Sequence, residues 1–312
     1  MIEIRRYTSD DKAEWDSFVT SSKNATFLFM RDYMDYHSDR FTDCSLMVYR
    51  RGRLYALLPA NKEGTTIVSH GGLTYGGLLM NDRATGADIV ETFTCINEWF
   101  RSAGITNVVY KPVPWIYHSL PAEEDLYAVF NTCKARLLYR SISSTVRRNT
   151  AVKWHRIRLC GLRKATDAGI ITTEERDPHA FWHILTNNLR GKYGVRPVHN
   201  VDEMALLMSR FPDNIRLFTA VKDGIQLAGT VLYITKTTVH TQYISASDDG
   251  KRLHALDKLL ADVIEMALTD HEYFDFGISN EDHGRVLNSQ LIYQKEGFGG
   301  RGVCYDTYQW DV

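Results

Sequence analysis

The sequence predicts two tandem α/β domains, each a mixed sheet with flanking helices. Length is the first ground: 312 residues are long for one hydrophobic core and fit two of about 150 residues each. Self-similarity is the second, because one order of strand-like and helix-like runs occurs twice at an offset of about 167 residues. The third is the content of each copy, where β-rich runs around tight turns lead into one long amphipathic helix and then a further apolar strand.

The chain opens on Ile2 and Ile4 alternating with charged residues, as in a strand. Residues 44–50 and 53–60 are β-rich and flank Arg51-Gly52, which suits a two-residue hairpin loop. Residues 65–70 supply a third strand, 87–103 a helix and 106–111 a buried strand. In the second copy 215–221 and 225–234 flank Lys222-Asp223-Gly224, and 237–246 is the third strand. The long helix falls over 253–268, where Leu256, Leu259, Leu260, Val263, Ile264 and Ala267 recur every three or four residues as one buried stripe. It packs on a sheet. The strand after it is 273–278, and a shorter helix and further strand close each copy, setting Tyr127 against Tyr293. Strands joined through the long helix can lie parallel. Each copy therefore reads β, α, α, β, β, β, α, β, α, β, the first over 1–142 and the second over 143–312.

Lys plus Arg, 37, balances Asp plus Glu, 38, so any polyanion site is local rather than a property of the whole surface. Hydrophobic residues at 44% and charged residues at 24% predict a chain that folds throughout. The cysteines Cys44, Cys95, Cys133, Cys160 and Cys304 include no C-x-x-C pair; they read as reduced, mostly buried thiols, and no metal site is expected. With no signal-peptide pattern at the start and no apolar run of spanning length, a soluble cytoplasmic protein is expected. Oligomeric state is not legible.

Three stretches carry chemistry. Residues 143–168 are the most basic, with Arg147, Arg148, Lys153, Arg156, Arg158, Arg163 and Lys164. The others are Tyr273-Phe274-Asp275-Phe276-Gly277-Ile278 and Tyr293-Gln294-Lys295-Glu296-Gly297-Phe298. The last resembles the L-Y-x-K-x-G-F ending of the final helix in GNAT acyltransferases, and the strand resembles the Y-F-D-F-G-G strand of FemABX-type proteins, with Ile278 where a second glycine is usual. The basic stretch is similar to the connector that opens their second half. Together with the element order, the resemblance covers essentially the whole chain.

It implies a tandem GNAT-fold acyltransferase whose C-terminal half moves an acyl group from acetyl-CoA or another acyl-CoA to an amine of a small molecule or a peptidoglycan precursor. A FemABX-like alternative takes an amino acid from aminoacyl-tRNA, the connector holding RNA phosphates. A third reading keeps the fold as a binding protein without transfer.

In the GNAT family the tyrosine at the place of Tyr293 lies near the coenzyme A sulfur and can protonate the departing thiolate. Simple packing, with Gly297 ending the helix and Phe298 in the core, fits the same letters. Coenzyme A is held there by R/Q-x-x-G-x-G/A at the start of the long helix, where bare N–H groups and the helix dipole meet a pyrophosphate. Asp248 to Ala255 satisfies no register of that pattern, although Gly250 supplies a turn, Ala255 is small, and Lys251, Arg252 and His254 offer donors. Residues 83–88 come nearer in letters but end on Asp88, better suited to a helix start. The strand Tyr243, Ile244, Ser245, Ala246 and Ser247 is expected to open away from its neighbour, so that a pantetheine arm pairs with it and an N–H polarises the acyl carbonyl. For the acceptor, His70, Gly71, Gly72 and Tyr75 form a glycine-rich stretch suited to close backbone approach. Tyr193 and His199 lie in the region where the family binds acceptor, and His199 can take a proton near neutral pH. An irregular hairpin tip and a structural histidine remain open there. Asp275, inside a strand, must be paired.

Overall fold

The computed structural model describes residues 2–150 and 152–312. They form two compact units, one comprising the chain up to Ser141 with Asp282–Val286 and Cys304–Val312, the other Ile142–Glu281 with Leu287–Val303.

In chain order the N-terminal unit holds β1 (Ile2–Arg6), α1 (Lys12–Ser21), α2 (Arg31–Met34), β2 (Leu46–Arg50), β3 (Arg53–Leu58), β4 (Asn61–Glu63), β5 (Thr66–Val68), β6 (Leu79–Met80), α3 (Gly86–Ser102), β7 (Asn107–Tyr110), α4 (Glu124–Asn131) and the first half of β8 (Arg136–Arg147). The β2–β3 hairpin turns on Arg51 and Gly52, both at positive φ, 51° and 73°, which matches the right-handed twist of the flanking strands. Its order is β1-β2-β3-β6. The third strand differs from expectation: β5 pairs with β4 and, in parallel, with β7, not with β3. Pro59, which has no N–H to donate, interrupts the pairing after β3, and the chain resumes it beyond through Ala60 and Lys62 to Cys44 and Thr42. Asp88 does serve the start of α3, where Thr85 accepts the Asp88 N–H and the Asp88 carboxylate pairs with Arg50 at 2.6 Å.

The C-terminal unit takes up the second half of β8 and continues with α5 (Arg156–Asp167), β9 (Ile171–Glu175), α6 (His179–Tyr193), α7 (Val201–Arg210), β10 (Ile215–Lys222), β11 (Ile225–Ile234), β12 (Thr238–Ala246), α8 (Asp248–Arg252), α9 (Ala255–Asp270) and β13 (Tyr273–Ile278). The short β14 (Asn280–Glu281) and β15 (Val286–Leu287), α10 (Ser289–Glu296) and β16 (Arg301–Asp311) complete the chain. Strands β9 to β12 are an antiparallel meander, and β12 pairs in parallel with β13 after the α9 crossover, as the pattern predicts. The apolar stripe of α9 lies on the sheet, burying Leu259, Leu260, Val263 and Ile264 against Phe274 and Phe276. Each such side chain contributes about 1.5–3 kcal/mol of burial.

One helix start is corrected. The sequence places it at 253, whereas α9 begins at Ala255, after His254 at φ 58°, and a separate turn of helix, α8, precedes it. All five cysteines are free thiols, but only Cys44 and Cys133 are buried and Cys304 is exposed, so "mostly buried" is corrected. No helix among the described residues is long and apolar enough to cross a membrane.

Candidate active site

The sheet of the C-terminal unit opens in one place. Strands β12 and β13 pair only over Thr238–His240 and Tyr273–Asp275, while β12 keeps its ladder with β11 as far as Ala246. Beyond His240 the edge of β12 that faced β13 has no strand beside it among the described residues. Two irregularities bend the strands apart. A bulge puts Gln242 out of register with β11, and β13 shifts register against β8 between Asp275 and Ile278, where Gly277 sits at φ 74°. Bulges locally twist and redirect a strand.

At the vertex of this fork Asp275 is fully buried. Its carboxylate accepts from Ser143 Oγ, from Thr145 Oγ1 at 2.7 Å, from His240 Nδ1 at 2.8 Å and from the Gly277 N–H at 3.3 Å. Burial pushes this carboxyl up, but the hydrogen bonds from His240, Ser143 and Thr145 outweigh it and hold the group below the usual carboxylate range. Lys295, also buried, donates to the Gly277 and Ile278 carbonyl oxygens at 2.8 Å each. Burial brings its ammonium down to about 8, against the opposing pull of Asp275. A strand carboxylate, an oriented imidazole and a low-pKa amine thus meet where the strands part.

A cavity of about 820 Å³ lies along the open edge. Ile244, Ser245, Ala246 and Ser247 line it, with Asn188 and Lys192 of α6, Leu256 of α9, and Leu291 and Gln294 of α10. Asn188 ties its wall together, donating to Ser245 Oγ at 2.7 Å and accepting from Lys251 Nζ at 2.9 Å. The loop after β12 is closed on itself. Ser247 Oγ takes the Gly250 N–H, the Ser247 carbonyl takes the Lys251 N–H, and Asp249 takes that of Leu253. The cations expected to meet phosphates already face carboxylates: Lys251 faces Asp248, Arg252 faces Asp249, and His254 lies 3.2 Å from Asp257.

Residues 159–285 match the family described as "Acetyltransferase (GNAT) domain". Among solved structures the chain is similar to FemX, with a TM-score of 0.70 at 11% identity, covering 99% of this chain and 97% of that one. It is also similar to a C-terminal domain described as lysylphosphatidylglycerol synthetase, from Agrobacterium fabrum (0.62, 13%, covering 97% and 92%). A tandem GNAT protein from the clavulanic acid biosynthesis pathway gives 0.53 at 15%, covering 100% and 98%. The chain has a tandem GNAT fold. No curated protein sequence matches it.

Within the tandem GNAT fold the expected residues scatter. His199 and Tyr243, assigned separately to acceptor and cofactor, come together: His199 Nδ1 lies 2.7 Å from the Tyr243 hydroxyl, beside Trp182. Burial raises the Tyr243 hydroxyl, opposed by the His199 N–H. Ile244 to Ser247 and Lys251 line the cavity; Gly250 is buried with its N–H used, and Ala255 is buried under α9. Tyr293 does not line it. Its ring is 55% exposed and packs 5.0 Å from that of His155, while Leu291 and Gln294 present the other side of α10 to the cavity. Tyr127, its counterpart on α4, is also exposed. Tyr193 ends α6, and its side chain lies outside the described residues.

In the N-terminal unit, His70 is buried at φ 62° beside His37, their rings 5.5 Å apart. Burial lowers these histidines to about 3 and about 4 respectively. Gly71 gives its N–H to Asn61, Gly72 lies against the His37 ring, and Tyr75 is buried on Phe29. Sequence reasoning missed His240 altogether. A lone histidine in a β-rich run carries no signal until Asp275, 35 residues on, is known to be its neighbour across a parallel pair.

Proposed function

We propose that the C-terminal unit transfers an aminoacyl group from an aminoacyl ester, of the kind tRNA carries, to an amine, in the FemABX manner. The observation that supports it is the fork of β12 and β13, whose unpaired edge and adjoining cavity suit an extended donor arm with its carbonyl toward the vertex. The loop after β12 argues for the donor. A pyrophosphate needs free N–H groups and uncompensated positive charge, and here Lys251 and Arg252 already face Asp248 and Asp249, while the Gly250 and Lys251 N–H groups are turned in to Ser247. On α5, Arg156, Arg163 and Lys164 are exposed and make no ion pair among the described residues, which suits RNA phosphates.

A second reading, transfer from acyl-CoA, is supported by the match of residues 159–285 to the acetyltransferase (GNAT) domain family. The acceptor under either reading is an amine on a small molecule or a peptidoglycan precursor. Donors charged with labelled acyl groups separate the two: aminoacyl-tRNA, acetyl-CoA and a long-chain acyl-CoA, each offered to a panel of simple amines and peptidoglycan precursors. Label moving from aminoacyl-tRNA alone is expected. Label moving only from an acyl-CoA would replace the first reading by the second, and none from any donor would favour a binding protein. Because a ligand bound only by the native state raises the melting temperature, thermal shifts with the same donors give an assay-free check.

A further inference from the structure

We infer that His240 is the general base of the transfer, taking the proton of the attacking amine on Nε2 while Asp275 positions its ring. The inference rests on the fork being the transfer site. Four features of the vertex lead to it. Asp275, held ionised by its donors, can only accept, so the His240 proton must sit on Nδ1, which faces it at 2.8 Å. In the neutral ring Nε2 then carries the lone pair, and it has no hydrogen-bond partner among the described residues. The side chain is 12% exposed, and Gly277 leaves room beside its Cε1–Nε2 edge, where a Cβ would stand 3.0 Å from His240 Cε1 and 3.6 Å from Nε2. Next along the strand, Thr241 Oγ1 is buried without a partner, an unsatisfied donor beside the opening that a bound ligand would satisfy.

Reach is consistent with this placement. From His240 to Ile244, where the cavity begins, the strand rises about 13 Å. A donor arm seated along 244–247 would therefore bring its carbonyl toward the vertex. The step conserves every atom. The amine nitrogen forms a bond to the donor's carbonyl carbon, and one N–H proton passes to His240 Nε2. As the tetrahedral species collapses, the ester C–O bond breaks and the imidazolium returns that proton to the departing oxygen, leaving an amide and a free hydroxyl. Asp275 stays ionised throughout and stabilises the imidazolium.

The test has two arms, and the first needs no substrate. Long-range ¹H–¹⁵N correlation spectra of the imidazoles, with His240 assigned by its loss in His240→Asn, should show the Nδ1-protonated tautomer in the resting protein. Asp275→Asn should shift it toward Nε2–H, and it should lower turnover in the second arm while leaving KM within about twofold, a split that a merely structural carboxylate would not produce. Nε2–H in the wild type overturns the inference whatever the donor. In the second arm, with the donor and amine that pass label above, His240→Asn should lower kcat about 10²- to 10⁴-fold at an unchanged melting temperature. A variant that folds and keeps its rate overturns it too. Should no donor in the panel transfer, the functional reading fails and the general-base role falls with it, whereas an Nε2–H tautomer beside successful transfer overturns the inference alone.

Discussion

Gly277 holds a conformation and a clearance that no other residue supplies together. At φ 74° a side chain meets left-handed strain of about 1–2 kcal/mol, and its Cβ would press on the His240 ring. Gly277→Ala should cost about that much in urea unfolding and should also slow transfer; full stability with an unchanged rate would contradict both the left-handed conformation and the clearance beside His240. Lys295 supplies a pH signature. Its ammonium titrates near 8 in the folded chain against an ordinary 10.5, so between those values the unfolded state holds the extra proton and stability rises with pH. Against Lys295→Met, wild type should gain on the order of 3 kcal/mol across that window. Parallel curves would show the amine to be solvated. Tyr293 gives the contrasting case: with its ring on the outer side of α10, Tyr293→Phe should leave the melting temperature unchanged and turnover within about twofold, where a general acid would cost at least about 10²-fold.

At the scale of elements, α5 and α9 meet through a buried pair. Arg158 holds Asp257 at 2.7 Å, and Gly161 lets the helices close, since a Cβ there would fall 1.9 Å from Asp257 Oδ2. Gly161→Ala should push the carboxylate off its arginine and cost about 3 kcal/mol, whereas Gly191, with open space around its Cβ position, should accept alanine with no loss. Equal effects at the two glycines would contradict the packing. The same elements show what the letters could tell. The hairpins at Arg51-Gly52 and Asp223-Gly224 and the α9 stripe were legible, because turn chemistry and periodicity are local, whereas the opening of β12 was expected only from the family resemblance. The closed loop after β12 was not. Ser247 capping Gly250, and Asp248 and Asp249 pairing with the following cations, turn an apparent phosphate loop into one turn of helix. His240 was illegible for another reason: its meaning comes from a parallel register set by sixteen residues of intervening helix.

For the molecule as a whole, a net charge of −1 excludes a general attraction to RNA and confines it to surfaces such as α5. The two-copy order follows from the sequence, but which copy works rests on the fork. An open strand edge can be watched directly, because its amides exchange with solvent until something pairs with them. The decisive measurement is hydrogen exchange over β12 with and without a non-hydrolysable aminoacyl-adenosine analogue, with coenzyme A in parallel. Slowed exchange concentrated in residues 241–247 on adding the aminoacyl analogue, and none with coenzyme A, is the predicted result. Protection that appears only around the glycine-rich stretch at 70–77, or nowhere on β12 with either ligand, would contradict the assignment of the transfer site to this fork.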